Sequence, residues 1–368
     1  MRRNIFCKAA AWILLLCLIF TGCGKNADPA GAAADTSAAA AASFAQAKPA
    51  PASSDDPQAL SVHYIDVGQA DSILIKVGDH AMLIDAGNND DGDFVVDYLR
   101  EQGIEKLDYL VGTHPHEDHI GGLDNVIKAF DIEKILMPKI QSNTKTFEDV
   151  LDAVAEKEMK ISSFAPGDQF TLGEAEFTAL GPTKTYDDAN NNSIVLKMVY
   201  GKTSFLFTGD METKAEEDIL NNGADVSAQV LKVGHHGSST SSGINFLKKV
   251  SPEYAVISVE ENNSYGHPHK EILQRLSNLR VQTLRTDECG TIIFTSDGES
   301  LTVNQDIKPS KAPVASQPSG TVYIGNKNSL KFHKTTCSGL PKEENRVTFS
   351  TRQEAIDSGY EPCGKCKP

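Results

Sequence analysis

Four side chains able to ligate a metal fall within six residues: His114, His116, Asp118 and His119, in the run Thr113-His114-Pro115-His116-Glu117-Asp118-His119-Ile120-Gly121-Gly122. His114 and His116 are two positions apart, so on an extended loop they point the same way and can grip one ion. Asp118 and His119 are adjacent, so they diverge from that pair and can reach a second ion. A two-metal site clamps the attacking and leaving oxygens of a phosphate ester and activates water, so no side-chain nucleophile is required.

The flanking residues say how such a loop would be held. Residues 107–111 are a short apolar run that reads as a buried strand, and Gly121-Gly122 leads into a stretch with helix spacing, so the histidines sit on a strand-to-helix loop. Upstream, residues 62–67 and 72–77 are rich in β-branched residues and read as strands joined by a turn at 68–71; 82–84 is a third, ending at Asp85-Ala86-Gly87. Helix periodicity covers 94–102 and 147–157, with a strand at 134–137 between them. Further strands are expected at 194–199, 204–207, 230–233 and 253–259, and helices at 211–220 and 270–279. The strand at 204–207 delivers Thr208-Gly209-Asp210, where a carboxylate beside glycine can lean between two ions; its competing local role is the N-cap of the helix at 211–220.

The HxHxDH segment resembles the signature of the metallo-β-lactamase superfamily, most closely its hydrolase domains related to the competence DNA-channel protein ComEC. The run Ile65-Asp66-Val67-Gly68-Gln69-Ala70-Asp71-Ser72 is similar to the opening of those domains, and the likeness covers residues 60–304. It implies an α+β fold, an αββα sandwich of two facing sheets with helices outside. It also implies site roles. His114, His116 and Asp210 would hold the first ion; Asp118, His119, Asp210 and His236 the second. Asp85 would support the loop from behind without ligating. Many members place a third histidine of the first ion where this chain has Asn190-Asn191-Asn192, so Asn192 is the candidate there, and an amide oxygen makes manganese more plausible than in the zinc-only relatives. Of the pair His235-His236, His236 is the expected ligand and His235 an acid or substrate contact, because adjacent residues point apart. Ser238 and His267, the latter in Tyr265-Gly266-His267-Pro268, are expected to meet substrate phosphate.

The ends of the chain carry separate signals. Arg2, Arg3 and Lys8 precede an apolar run at 9–20, and Thr21-Gly22-Cys23 resembles a bacterial lipobox, so 1–22 reads as a lipoprotein signal with Cys23 lipidated. Residues 23–59, rich in Ala, Pro and Ser, read as a tether that holds the domain outside the cell membrane. A second linker at 305–320 leads to a small module at 321–368, where His333 and Cys337 (H-x3-C) and Cys363 and Cys366 (C-x2-C) suit one closed tetrahedral zinc site. It resembles the metal-binding domain of Ada, with His333 in place of the first cysteine. A chain segment this short needs such a staple.

The formal net charge is −15, which disfavours non-specific nucleic-acid binding by the body. From 308 to 368, however, ten Lys/Arg face five Asp/Glu, 10 − 5 = +5, a basic module suited to gripping DNA. The expected function is therefore that of a membrane-anchored, two-metal (zinc or manganese) phosphodiesterase, a DNA nuclease. Asp118, Asp210 and His235 would be its catalytic residues. The alternatives are an esterase of small phosphodiesters such as phosphorylcholine, and a non-catalytic DNA-binding lipoprotein.

Overall fold

The computed structural model describes residues 59–305, 322–349, 352–357 and 360–368. The expected signal segment, Cys23, the tether to residue 58 and the linker from 306 lie outside the described residues. In chain order the first half runs β1 (Leu60–Tyr64), β2 (Ser72–Val77), β3 (His80–Ala86), α1 (Gly92–Glu101), β4 (Lys106–Val111), α2 (Glu117–Ile120), α3 (Leu123–Ala129), β5 (Asp131–Leu136), α4 (Lys145–Glu156) and β6 (Ile161–Ser162). The second half runs β7 (Gln169–Leu172), β8 (Ala175–Gly181), β9 (Val195–Tyr200), β10 (Thr203–Phe207), α5 (Thr213–Asn221), β11 (Val230–Lys232), α6 (Ile244–Val250), β12 (Tyr254–Ile257), α7 (Lys270–Asn278) and β13 (Gln282–Arg285). Then α8 (Thr286–Cys289), β14 (Ile292–Ser296) and β15 (Leu301–Val303) close the domain.

Strand side chains alternate between faces, and this sorts the apolar residues into three layers. Tyr64, Ile73, Ile75, Met82 and Val111 of one sheet meet Phe177, Leu196, Met198, Phe205 and Phe207 of the other in the central core. Leu74, Leu83, Leu110 and Ile135, on the opposite face of the first sheet, pack under Val95, Leu99, Val126 and Val150 of α1, α3 and α4. Leu206, Leu231 and Ile257 do the same in the second sheet, under Ile219, Leu247 and Ile272 of α5, α6 and α7. The sheets have orders β15-β14-β1-β2-β3-β4-β5-β6 and β13-β12-β11-β10-β9-β8-β7. The expected αββα sandwich is therefore present, and β14–β15 cross back to finish the first sheet.

The site follows from strand direction. β3 pairs parallel with β4, and β10, β11 and β12 pair parallel in turn. The carboxyl ends of parallel strands are where loops converge in such sheets. Asp85, the His114 loop, Asp210 and the His235-His236 turn all leave from those ends. Asp71 joins them because β2 runs antiparallel to β3, with Ser72 opposite Ala86.

Several boundaries differ from the sequence reading, and some elements are new to it. The first strand stops at Tyr64 instead of 67. The helix expected at 211–220 starts at Thr213, capped by an extended Glu212 (φ −101°, ψ 172°), so Asp210 is released from any capping role. α6 was not anticipated; its seven residues follow a serine-rich stretch and carry only a short apolar stripe.

In the small module β16 (Tyr323–Asn326), β17 (Lys331–Lys334), β18 (Arg346–Phe349), α9 (Arg352–Asp357) and β19 (Glu361–Pro362) enclose a core of Phe332, Phe349 and Ala355.

Gly121 shows how tightly the histidine loop is seated. A Cβ there would lie 2.2 Å from the Asn88 carbonyl carbon and 2.3 Å from the Asn89 nitrogen, both backbone atoms that cannot swing aside. Gly121→Ala should therefore lower stability by about 3 kcal/mol, the upper range for overpacking, read as a fall in the thermal midpoint followed by circular dichroism. An unchanged midpoint would mean the 88–89 backbone yields freely.

Candidate metal centre

Asp85 ends β3 in a left-handed conformation (φ 59°), which a short polar side chain tolerates. Its carboxylate accepts hydrogen bonds from the Thr113 backbone N–H (2.7 Å) and the Thr113 hydroxyl (2.7 Å), pinning the start of the histidine loop. It also accepts from His119 Nδ1 (2.8 Å). His119 thus spends its Nδ1 hydrogen on Asp85 and turns Nε2 toward Asp210 Oδ1, 3.2 Å away. His236 is set the same way. Its Nδ1 donates to the Ser258 carbonyl (2.9 Å), which can only accept, so Nε2 carries the lone pair. That Nε2 lies 3.3 Å from Asp118 Oδ2 and 3.7 Å from Asp210 Oδ1.

Ligand atoms of Asp118, His119, Asp210 and His236 therefore all lie within 4.8 Å of one another. His119 Nε2, His236 Nε2 and Asp210 Oδ1 are buried without a hydrogen-bond partner. Buried polar atoms are rarely left so, and three converging on one point fit a divalent cation held by two imidazoles and two carboxylates. The second-ion set expected from the sequence is assembled as expected.

The other side of Asp210 is wider. His114 Nε2 faces His116 Nδ1 at 3.0 Å, and Asp210 Oδ2 stands 4.0 Å from His114 Nε2 and 3.7 Å from His235 Nε2. Asp210 thus sends one oxygen to each group of histidines, the disposition of a bridging carboxylate. His235 and His236 both sit at φ 51°. Left-handed backbone at non-glycine residues costs about 1–2 kcal/mol each. It throws the two rings apart, 70° between planes, onto opposite sides of Asp210.

Two expected residues take other places. Asn192 is turned into its own loop: its carbonyl oxygen accepts from Tyr186 N–H, and its amide nitrogen donates to the Tyr186 and Asp188 carbonyls. His235 faces that side instead. Ser238 is buried, with its hydroxyl against Thr240 Oγ1 at 3.1 Å, and cannot line a substrate path. His267 lies at the mouth of the centre, its ring 5.6 Å from that of His235, but the entrance of α7 is capped by His269. Burial and the neighbouring histidines push His267 down to about 4, so its ring is a neutral imidazole.

Charge organises the interior. Burial and His119 hold His114 well below its ordinary value, leaving a neutral ligand. Burial would do the same to His119, but Asp210, Asp118 and Asp85 outweigh it and raise that ring well above its ordinary value. Burial opposes the charge on Asp210, yet His119 and His236 keep it ionised.

Two residues of the centre escaped the sequence reading. Lys232, fully buried on β11, pairs with Asp71 Oδ2 at 2.8 Å. Asp71 in turn stands 3.6 Å from His236 Nδ1 and 3.9 Å from His119 Nδ1. Asp71, Asp85 and His119 form a further ligand-like group, and the Lys232 ammonium serves it as a built-in cation. The signal was a lysine inside the otherwise apolar Val230-Leu231-Lys232-Val233. Asp71→Asn should strand that charge behind the ligands and weaken zinc binding at the main centre roughly tenfold or more, measured by competition with a chromogenic chelator. Adding Lys232→Met should restore part of the loss; a double variant no better than the single one would sink the charge argument.

In the small module His333, Cys337, Cys363 and Cys366 are gathered as expected, with His333 Nδ1 buried and unpartnered. Backbone N–H groups of Cys366 and Lys365 draw the Cys363 thiol down, toward the thiolate a zinc site needs. Cys363→Ser should remove one zinc per chain by elemental analysis and abolish the module's protease resistance, leaving metal at the main centre in place.

The chain is 35% identical over 253 residues to ComE operon protein 3 of Bacillus subtilis, covering 63% of this chain and 32% of that protein. It is 35% identical over 231 residues to competence protein ComA of Neisseria gonorrhoeae, covering 62% and 31%. It thus spans about a third of the length of the curated relatives it matches. A solved metallo-beta-lactamase fold protein, YhfI from Bacillus subtilis, aligns at 13% identity and TM-score 0.45 over 67% of this chain and 99% of that one. Residues 314–368 match the metal binding domain of Ada. Residues 65–260, which hold every main-centre ligand from His114 to His236, match the metallo-beta-lactamase superfamily, and the chain belongs to that superfamily.

Proposed function

We propose that this superfamily hydrolase cleaves phosphodiesters, and that its substrate is DNA outside the cytoplasm. The observation that carries the reading is Asp210, with one oxygen toward His119 and His236 and the other toward His114 and His235. When bound, two divalent ions would supply an activated water and neutralise charge on the phosphoryl oxygens. Asp85 and Ser258 orient the imidazoles, and Asp210 ties the two sides together. His235, still partly exposed beside the centre, is placed to protonate a leaving oxygen, with Glu212 Oε1 3.4 Å from its Nδ1 to hold the ring. The likeness to two proteins named for competence supports DNA as the polymer. The basic character of the module and the lipobox-like Cys23 support a tethered enzyme that grips DNA at the cell surface.

Incubation with plasmid and linear DNA plus zinc or manganese should give cleavage. Asp118→Ala and Asp210→Ala should lower it roughly 100-fold while the fold persists. Elemental analysis should find three metals per chain. A single metal, confined to the C-terminal cysteines, together with no cleavage under either metal, would leave a DNA-binding protein without chemistry.

A further inference from the structure

A groove of about 550 Å³ opens beside Asp118, lined among others by Gln69, Asp91, Phe94, Glu117, Glu260 and Tyr265. Four large apolar side chains are exposed among the described residues, and the two aromatic ones, Phe94 (49%) and Tyr265 (67%), both line this groove. Exposed aromatic rings at the edge of a catalytic centre need a reason. Tyr265 is also held in place: its ring lies 22° from that of His267 at 5.7 Å. The Asn263 side chain closes the loop beneath it, accepting from the Tyr265 and His267 N–H groups and donating to the Glu260 and His267 carbonyls.

The groove's charge excludes half of a nucleotide. Asp66, Asp91, Glu117, Asp118 and Glu260 line it, and among the described residues no lysine or arginine does. A phosphodiester is repelled there and belongs on the metal side. A neutral planar ring that carries N–H donors is accepted: carboxylates and the Gln69 carbonyl take its amino hydrogens, and the aromatic rings take its face.

We propose that this groove is a nucleobase subsite, in which the base next to the scissile phosphate lies against Tyr265 and Phe94. The inference rests on the DNA-cleaving reading above and narrows it. A base can occupy the groove only after leaving the stack, so the substrate is a single strand or a frayed end. Adenine, guanine and cytosine, which carry exocyclic amino groups, are favoured over thymine.

The test compares deoxyadenosine monophosphate with deoxyribose 5-phosphate, which has the same phosphate and no base, by equilibrium dialysis on the metal-loaded full chain. The nucleotide should bind roughly tenfold or more tightly than the sugar phosphate, a typical stacking gain. Tyr265→Ala should collapse that ratio toward unity with deoxyribose 5-phosphate binding unchanged, and Tyr265→Phe should keep most of it. Equal binding of the two ligands by the native chain, or a ratio that survives Tyr265→Ala, overturns the subsite. DNA cleavage is scored separately on a single-stranded oligonucleotide. Cleavage with no base preference defeats the subsite and spares the nuclease, whereas tight nucleotide binding without cleavage defeats the nuclease and spares the subsite.

Discussion

The structure depends on how imidazoles are made to face inward. A histidine can bind a cation only through a nitrogen without hydrogen, and the tautomer is decided by what the other nitrogen donates to. Asp85 decides it for His119 and Ser258 decides it for His236. Asp85 does more, because the same carboxylate fixes the Thr113 backbone and hydroxyl and so sets where the histidine loop begins. One buried carboxylate thus joins the end of β3, the start of the loop and a ligand ring. Burial pushes Asp85 toward the neutral acid, and His119 and the Thr113 N–H pull it back.

That arrangement stores strain and buried charge where the two sheets meet. Asp85, His235 and His236 all have left-handed backbone. Asp71, Asp85 and Asp210 are almost fully buried, faced by one lysine and by imidazoles. Such a site persists only because the surroundings over-determine it. The three apolar layers supply that rigidity, and Gly121 and Gly122 let the loop press onto the 86–92 backbone with no side chain between.

Much of this was legible in the sequence. The HxHxDH spacing pointed to a metal loop by itself, and the family resemblance supplied Asp85, Asp210 and His236, whose side chains the fold gathers around it. Most strand and helix positions followed from periodicity; boundaries slipped, as with Tyr64 and Thr213, and the short helix α6 was missed. What was not legible depends on contacts between distant segments. Asn192 was a reasonable ligand by position, but its amide is consumed by Tyr186 and Asp188, and hydrogen bonds across a loop leave no mark in spacing. Ser238 was expected to meet substrate phosphate, yet the turn buries it. Asp71 and Lys232 lie 161 positions apart (232 − 71), and only the folded sheets show that they are partners.

The two sides of Asp210 then differ in kind. On one side four ligand atoms lie close and Nδ1 of each ring is anchored, so a cation bound there is held by preorganised donors. On the other, His114 and His116 touch, Asn192 has turned away, and His235 keeps contact with solvent and has only Glu212, Thr240 and Asn190 around its Nδ1. Preorganisation favours tight, slow exchange on the first side and looser, adjustable coordination on the second. A centre that must bind an incoming oxygen and release a product needs such an asymmetry, since a ligand shell closed on both sides of the bridge leaves no position for substrate. Asn192, turned into its own loop, leaves that side of Asp210 to His114, His116 and the more exposed His235.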